Sequence, residues 1–356
     1  MSSKTLVLTG GGTAGHVMPN LALAPGLRQQ GWELHYLGSE QGPEKNLAEQ
    51  AGIPFHSIAT GKLRRYFSWK NFTDPFRVLQ GAAQAWSLLG QLKPDLVFSK
   101  GGFVTVPVVY AAFLRRIPVI LHESDLSPGL ANRLCLPLCK RICTSFPETL
   151  DHLPRGKSAL TGTPVREELL RGNRDAGLQF LGFSNIKPVL LIMGGSQGAR
   201  TLNQNVRNAL PRLLERFQVA HLCGPRQVDA LLETTPGYRQ FEFVRGELSD
   251  VLAATDYAVS RAGANSLFEL LALRKPSLLI PLPMAASRGD QILNARSFEK
   301  RGFSKVLLQE NLTPDSLMLA LDNLERDTET LRRAMDTSYL AHGIEKVLEV
   351  IEGVAL

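Results

Sequence analysis

Short β-branched and apolar runs recur along this chain, most of them followed at once by a turn and then by a stretch of helical periodicity. Runs that are apolar throughout, rather than alternating, belong to strands buried on both faces, so the pattern demands a parallel sheet sandwiched between helices. In the first half the strands are expected at Thr5–Thr9, Glu33–Leu37, Pro54–Ile58, Leu96–Ser99, Val119–His122 and Arg141–Ser145. Helices are expected between them, at Glu44–Ala51, Pro75–Leu92 and Val106–Arg115 among others. Such a set completes one doubly wound unit. Gly162-Thr163-Pro164-Val165-Arg166 and Arg171-Gly172-Asn173-Arg174-Asp175 then interrupt the pattern and read as a linker. A second series follows at Val189–Met193, Val219–Leu222, Phe241–Val244, Tyr257–Ser260, Ser277–Ile280 and Lys305–Leu308, before a final amphipathic helix at Ile344–Val354. The fold class is therefore α/β, with two doubly wound Rossmann-like domains facing a cleft. The expected boundaries are 1–163 and 164–340, with a last helix at about 341–356 packing back on the first domain.

A chain of 356 residues suits two domains, and 44% hydrophobic residues suffice to build both cores. The net charge of +7 points to an anionic partner without saying which. Cys135, Cys139, Cys143 and Cys223 lack the second pair a metal site would need and read as buried, reduced thiols. Met1–Lys4 shows no signal-peptide pattern, and the longest apolar runs, such as Val104–Leu114, have the length of core elements. Membrane contact is expected to be peripheral.

In doubly wound sheets ligands bind beyond the strand C-termini, so the loops there carry the functional expectation. After the first strand stands Gly10-Gly11-Gly12-Thr13-Ala14-Gly15-His16. Glycines let backbone N–H groups approach a phosphate, and a helix N-terminus adds partial positive charge. Gly10, Gly12 and Gly15 also satisfy GxGxxG, with Glu40 placed where a ribose-binding acid would lie, so a dinucleotide-dependent oxidoreductase is an alternative. Two further loops weigh against it: Ser99-Lys100-Gly101-Gly102-Phe103-Val104 and Gly194-Gly195-Ser196-Gln197-Gly198-Ala199. One dinucleotide needs one such fingerprint, whereas two diphosphate-bearing substrates use more. His16 sits at a helix start, which disfavours imidazolium and suits a general base.

In the second half, Ser260-Arg261-Ala262-Gly263-Ala264-Asn265-Ser266 is a strand end, a turn and a helix start, with Glu269 on the turns that follow. A carboxylate there can take both ribose hydroxyls while the amides of Gly263 to Ser266 meet a diphosphate. Asp290, Gln291 and Asn294 offer groups that read sugar hydroxyls, although Asp290 also reads as an N-cap.

These loops, together with His122-Glu123-Ser124-Asp125, Gly162-Thr163-Pro164-Val165-Arg166 and Asp290-Gln291-Ile292-Leu293-Asn294-Ala295, resemble the bacterial peptidoglycan N-acetylglucosaminyltransferases, which convert lipid I to lipid II. The likeness runs in order from about residue 5 to 300 and looks closest to the Gram-positive coccus branch, through Gly61-Lys62-Leu63-Arg64-Arg65-Tyr66 and the His122–Asp125 motif. It implies a GT-B fold, acceptor recognition in the N-terminal domain and UDP-GlcNAc binding in the C-terminal one. The donor set it implies is Arg166, Ser196, Gln197, Ala264, Asn265, Ser266, Glu269, Asp290 and Gln291. Thr13, Ala14, Gly15, Gly101, Gly102 and Asp125 are the expected acceptor and diphosphate loops. Many members carry Tyr where Phe103 stands and Asn where Asp125 stands, which removes a hydroxyl at one site and adds a charge at the other.

The reaction implied is displacement with inversion at the anomeric carbon: the MurNAc C4 hydroxyl attacks and UDP leaves. His16 is the first candidate base and Glu123 the second. No Asp-x-Asp motif is present, so neither a metal nor another cofactor is expected. Lys62, Arg64, Arg65 and Lys70 interleave with Phe67, Trp69, Phe72 and Phe76, a mixture suited to an anionic membrane surface. Single-stranded nucleic acid could use the same mixture, but a lipid-linked acceptor favours the membrane, and nucleic acid is not expected as a partner. The expected place is the cytoplasmic face of the cell membrane, with UDP-GlcNAc, lipid I and other cell-wall synthesis or division proteins as partners. A glycolipid synthase acting on diacylglycerol, an epimerase and a non-catalytic scaffold are the other readings.

Overall fold

Seven parallel strands form the first sheet: β1 (Lys4–Thr9), β2 (Trp32–Ser39), β3 (Phe55–Ile58), β4 (Leu96–Ser99), β5 (Val119–Glu123), β6 (Arg141–Thr144) and β7 (Ser158–Leu160). Their order in space is β3-β2-β1-β4-β5-β6-β7. A computed structural model describes residues 4–60, 70–195, 199–284 and 289–355, the side chains of 70–76 excepted. The chain divides into two compact units, Met1–Arg166 with His342–Leu356, and Glu167–Ala341. The second unit holds a six-stranded parallel sheet in the order β10-β9-β8-β11-β12-β13. Its strands are β8 (Val189–Met193), β9 (Gln218–Leu222), β10 (Tyr238–Phe241), β11 (Tyr257–Ser260), β12 (Ser277–Leu279) and β13 (Lys305–Val306).

Both orders are doubly wound, and in each the winding reverses beside the first strand, between β1 and β4 and between β8 and β11. Thr9 at the end of β1 is level with Leu37 of β2 and Ser99 of β4, so the loops after these strands leave from one edge. The continuous apolar strands have the physical cause expected of them. In β1, Leu6 and Leu8 pack with Val17, Leu23 and Leu27 of the Ala14–Gln29 helix on one face, while Val7 packs with Val108 and Val109 of the Thr105–Leu114 helix on the other. The final helix, Gly343–Ala355, buries Val347 and Ile351 in the first of these clusters.

Three of the departures from the sequence reading have a visible physical cause. β7 leaves no mark in the sequence: its residues are only half-buried and carry no apolar run. β10 begins at Tyr238, ahead of the expected Phe241–Val244, because the fully buried Tyr238 leads the strand out of a turn at Gly237 (φ +75°), whereas Phe243 is 47% exposed. The charged stretch around Arg174, expected as linker, is a helix over Arg174–Leu181, where the Asn173 side chain accepts from Ala176 N at 2.9 Å as an N-cap.

Candidate active site

At the reversal point of the first sheet the loops after β1 and β4 meet backbone to backbone. Gly12, Gly101 and Gly102 have φ near +88°, a conformation that glycine adopts without steric cost. The place where a Cβ would project from Gly12 is open space, so this backbone can be approached closely from outside. The loop is held from within. Asn20 Nδ2 donates to Thr9 O at 3.1 Å, and the buried Tyr36 hydroxyl donates to Gly10 O at 2.7 Å. The buried Glu44 carboxylate accepts from Ser39 N at 3.0 Å, from the Ser39 hydroxyl and from Gly12 N at 3.4 Å.

Thr13 is the N-cap of the Ala14–Gln29 helix, and Ala14, Gly15 and His16 form its first turn. Thr13 Oγ1 lies 3.0 Å from His16 Nδ1. Desolvation by burial, reinforced by the charge of Lys100, brings the His16 imidazole down to about 4. It is therefore neutral near pH 7.

The other expected base is differently placed. Glu123 is 5% exposed; its Oε2 accepts from Gly129 N (2.9 Å) and Asn132 Nδ2 (2.8 Å), and its Oε1 from Asp125 N (3.1 Å). Burial raises its pKa while these donors oppose the shift. Both oxygens thus organise the turn after β5. Beside it, Lys100 Nζ contacts His122 Nδ1 at 2.6 Å and Ser124 Oγ at 2.5 Å.

In the second unit the loops after β8 and β11 also carry glycines that face open space. Gly195 has φ +87°, and open space lies where a Cβ would project from Gly195 or Gly263. Gly263 is the N-cap of the Ala264–Ala272 helix and supplies no side-chain cap. Asn265 and Ser266 stand half-buried in its first turn, Ala264 is buried, and Glu269 is half-buried further along. Below this turn the buried Arg261 donates to Ile280 O (2.9 Å) and Gln309 Oε1 (2.6 Å), tying the loop after β11 to those after β12 and β13. Asn294 Nδ2 donates to Ala262 O at 3.3 Å, and Gln291 Oε1 accepts from Leu282 N at 3.1 Å. Asp290 is the first residue of its helix, and the N-cap is Gly289 at φ +83°. Arg166 ends the first unit, its Nε buried and without a hydrogen-bond partner among the described residues.

Ser196 and Gln197 lie outside the described residues, as do Lys62, Arg64, Arg65, Phe67 and Trp69 and the side chains of Lys70, Phe72 and Phe76. Glu40 is exposed beside a pocket of about 330 Å³ at the ends of β2 and β3. Sequence reasoning missed Asn20, Tyr36, Glu44 and Asn132, which hold the loops. The one available signal was a polar residue within an otherwise apolar helix face, as at Asn20.

Residues 6–144 match the glycosyltransferase family 28 N-terminal domain, and residues 189–351 match the C-terminal domain of the same family. The chain belongs to glycosyltransferase family 28. Over 353 residues, 99% of both chains, it is 55% identical to the UDP-N-acetylglucosamine--N-acetylmuramyl-(pentapeptide) pyrophosphoryl-undecaprenol N-acetylglucosamine transferase of Lachnoclostridium phytofermentans. An enzyme of that name, numbered 2, from Bacillus cereus is 52% identical across 98% of this chain and 99% of its own. Among solved structures, MurG of Acinetobacter baumannii superposes with a TM-score of 0.77 at 28% identity, covering 98% of this chain and 99% of that one. The family 28 domains, that likeness and the two parallel α/β sheets give the GT-B fold. The chain is a glycosyltransferase, and the oxidoreductase and diacylglycerol readings find no favour in these relationships.

Proposed function

We propose that this enzyme transfers GlcNAc, with inversion, from UDP-GlcNAc to the MurNAc C4 hydroxyl of undecaprenyl-diphospho-MurNAc-pentapeptide. The observation that carries the reading is full-length identity of 52–55% to enzymes named for that transfer. The site's chemistry supports it. His16, neutral near pH 7 and with its Nδ1 3.0 Å from Thr13 Oγ1, takes the proton of the attacking hydroxyl. The acceptor diphosphate lies along the loops Gly11 to Gly15 and Gly101–Gly102, where Gly12 leaves its backbone open, with Asp125 in the loop beyond. Glu123 shapes that loop. On the donor side, Glu269 takes the ribose hydroxyls, and the amides of Gly263 to Ser266, with Arg166, stabilise charge growing on the departing UDP. Asp290 and Gln291 read the donor sugar or ribose, and Ser196 and Gln197 line the nucleotide.

We assign membrane docking to the first unit at the cytoplasmic face. No helix among the described residues is long and apolar enough to cross a membrane. Leu79, Tyr110, Phe113 and Leu114 are exposed, and Arg115 stacks over Trp86 at 4.2 Å. Arg115, Arg116 and the basic residues of 62–70 complement anionic lipid. Purified protein given radiolabelled UDP-GlcNAc with either lipid I or diacylglycerol tests the function, with Glu269→Ala as control. Label moving to lipid I alone, and lost in the variant, is expected; label on diacylglycerol overturns the acceptor assignment.

A further inference from the structure

The pocket of about 330 Å³ beyond the ends of β2 and β3 has no part in the transfer chemistry outlined above. Strand ends make one wall: Ser39 and Glu40 close β2, and Ser57 to Thr60 run out of β3, with Ser39 level with Ile58. The Lys70–Leu92 helix makes another, where Arg77, Gln80 and Gln84 share one face through their i, i+3, i+7 spacing. That helix is pinned to the strand end. Gln84 Oε1 accepts from Ala59 N at 2.6 Å, and Gly81 packs so closely that a Cβ there would collide with Ala59 O.

The chemistry of the lining narrows what can occupy it. Only Ile58 and Ala59 among the lining residues lack a polar side chain. Hydroxyls and carboxamides both donate and accept, as the N–H and C=O groups of a peptide require. Arg77 is the only cation and Glu40 the only acid in the lining, and neither has an ion-pair partner among the described residues. For a multiply charged phosphate these two charges offset each other, whereas an arginine fork takes one carboxylate of a mostly neutral peptide. The pocket also adjoins the acceptor loop. Ser39 donates through its N (3.0 Å) and its hydroxyl to Glu44, whose other oxygen accepts from Gly12 N at 3.4 Å. One buried carboxylate thus stands between the pocket and the Gly12 loop.

We infer that this pocket seats part of the peptide borne by the acceptor, with Arg77 taking a carboxylate of that peptide and Gln80 its backbone amides. The assignment presupposes the acceptor proposed above, and the relatives are named for a pentapeptide-bearing one. Ligand pockets run from about 300 to 1,000 Å³, so this one admits a part of such a peptide rather than all of it. Both residues determine which acceptor is held and take no part in the bond being made.

Calorimetric titration with three short-chain, water-soluble acceptors tests the seat, alongside transfer assays: one with the full peptide, one with its peptide carboxylates amidated, and one with no peptide. In wild type, amidation should weaken binding about 10-fold, near the low end for a hydrogen bond to a charged group. Arg77→Ala should cost the same for the full peptide and nothing further for the amidated one, since both changes remove one interaction. Gln80→Ala should weaken both peptide-bearing acceptors and spare the bare one. Both positions are exposed on a helix, where alanine is well tolerated, and UDP affinity should stay at its wild-type value. Equal losses on all three acceptors would give Arg77 to the diphosphate, and a loss seen only with anionic vesicles present would give it to lipid headgroups. Either result overturns the peptide seat, as does no loss at all. A failure of the functional reading is separable: wild type would then transfer GlcNAc to none of the three, whatever the titrations show.

Discussion

Gly102 packs directly on the backbone of Gly11, so that a Cβ at position 102 would collide with the Gly11 carbonyl oxygen. Since φ at Gly102 is +89°, any other residue is also strained there. Gly102→Ala should cost about 1–3 kcal/mol of stability and reduce transfer by at least an order of magnitude. The second-unit loops proposed above to hold the nucleotide should be untouched. Calorimetric titration with UDP, beside a thermal melt, checks the split: lost UDP affinity would show that the loop is not local to the acceptor.

Glu269→Ala should raise the Kd for UDP about 10- to 100-fold, the worth of a hydrogen bond to a charged group. Removing the ribose hydroxyls from the ligand should have a similar effect, and the two losses should not add. Titrating UDP and 2′-deoxy-UDP into wild type and variant closes this cycle. Additive losses would move the ribose away from Glu269.

The two candidate bases predict different magnitudes. His16→Ala should lower kcat by about 10²–10⁴-fold, the usual contribution of a general base. Glu123→Gln keeps the shape of a side chain that accepts from Asp125, Gly129 and Asn132, and should cost less than about 10-fold in kcat. Single-turnover rates for the pair decide between them, and the reverse ranking would exchange their roles.

Histidine burial also sets how stability responds to acid. His16 is held at about 4, and His221, between Tyr238 and Asn203, at about 3. The unfolded chain takes up protons near 6.5, whereas the folded chain refuses them until about 4 or 3. Stability therefore falls as pH drops through that window and is independent of these groups above about 7. Urea midpoints across the range should slope accordingly, with a shallower slope in His16→Gln. An unchanged slope would mean that His16 is more hydrated than its setting indicates.

Docking to lipid should depend on the exposed end of the Thr105–Leu114 helix. Replacing Phe113 and Leu114 by serine should weaken sedimentation with anionic vesicles, and Arg115→Ala with Arg116→Ala should weaken it further at low salt. Each basic residue near such a surface is worth about 1 kcal/mol. Equal pelleting by all variants would place the contact elsewhere.

The strands and their glycine loops were legible because backbone burial and φ leave marks on composition: Val189–Met193 and Tyr257–Ser260 are strands with the bounds read from sequence. The supports of the site were much less so. Glu44 reads as an ordinary helix-start acid, and only the fold carries its carboxylate under Gly12. Lys100 sits in a motif whose signal is its glycines, and its partners His122 and Ser124 reach it from the next strand in space and the loop that follows. Side chains that act on backbone far away in sequence have no periodicity to betray them. Boundaries failed where a single residue outweighed the pattern, as Tyr238 does for β10.

Val347 and Ile351 complete a core whose other members, Leu6, Leu23 and Trp32 among them, leave the ribosome before the second unit does. During synthesis that face waits uncovered while the whole of Glu167–Ala341 is made and folds. Of the two units, the one whose synthesis starts earlier is thus the later to be finished. A nascent chain stalled before His342 would present an apolar groove on an otherwise assembled sheet, a natural target for chaperones and for proteolytic disposal of incomplete copies.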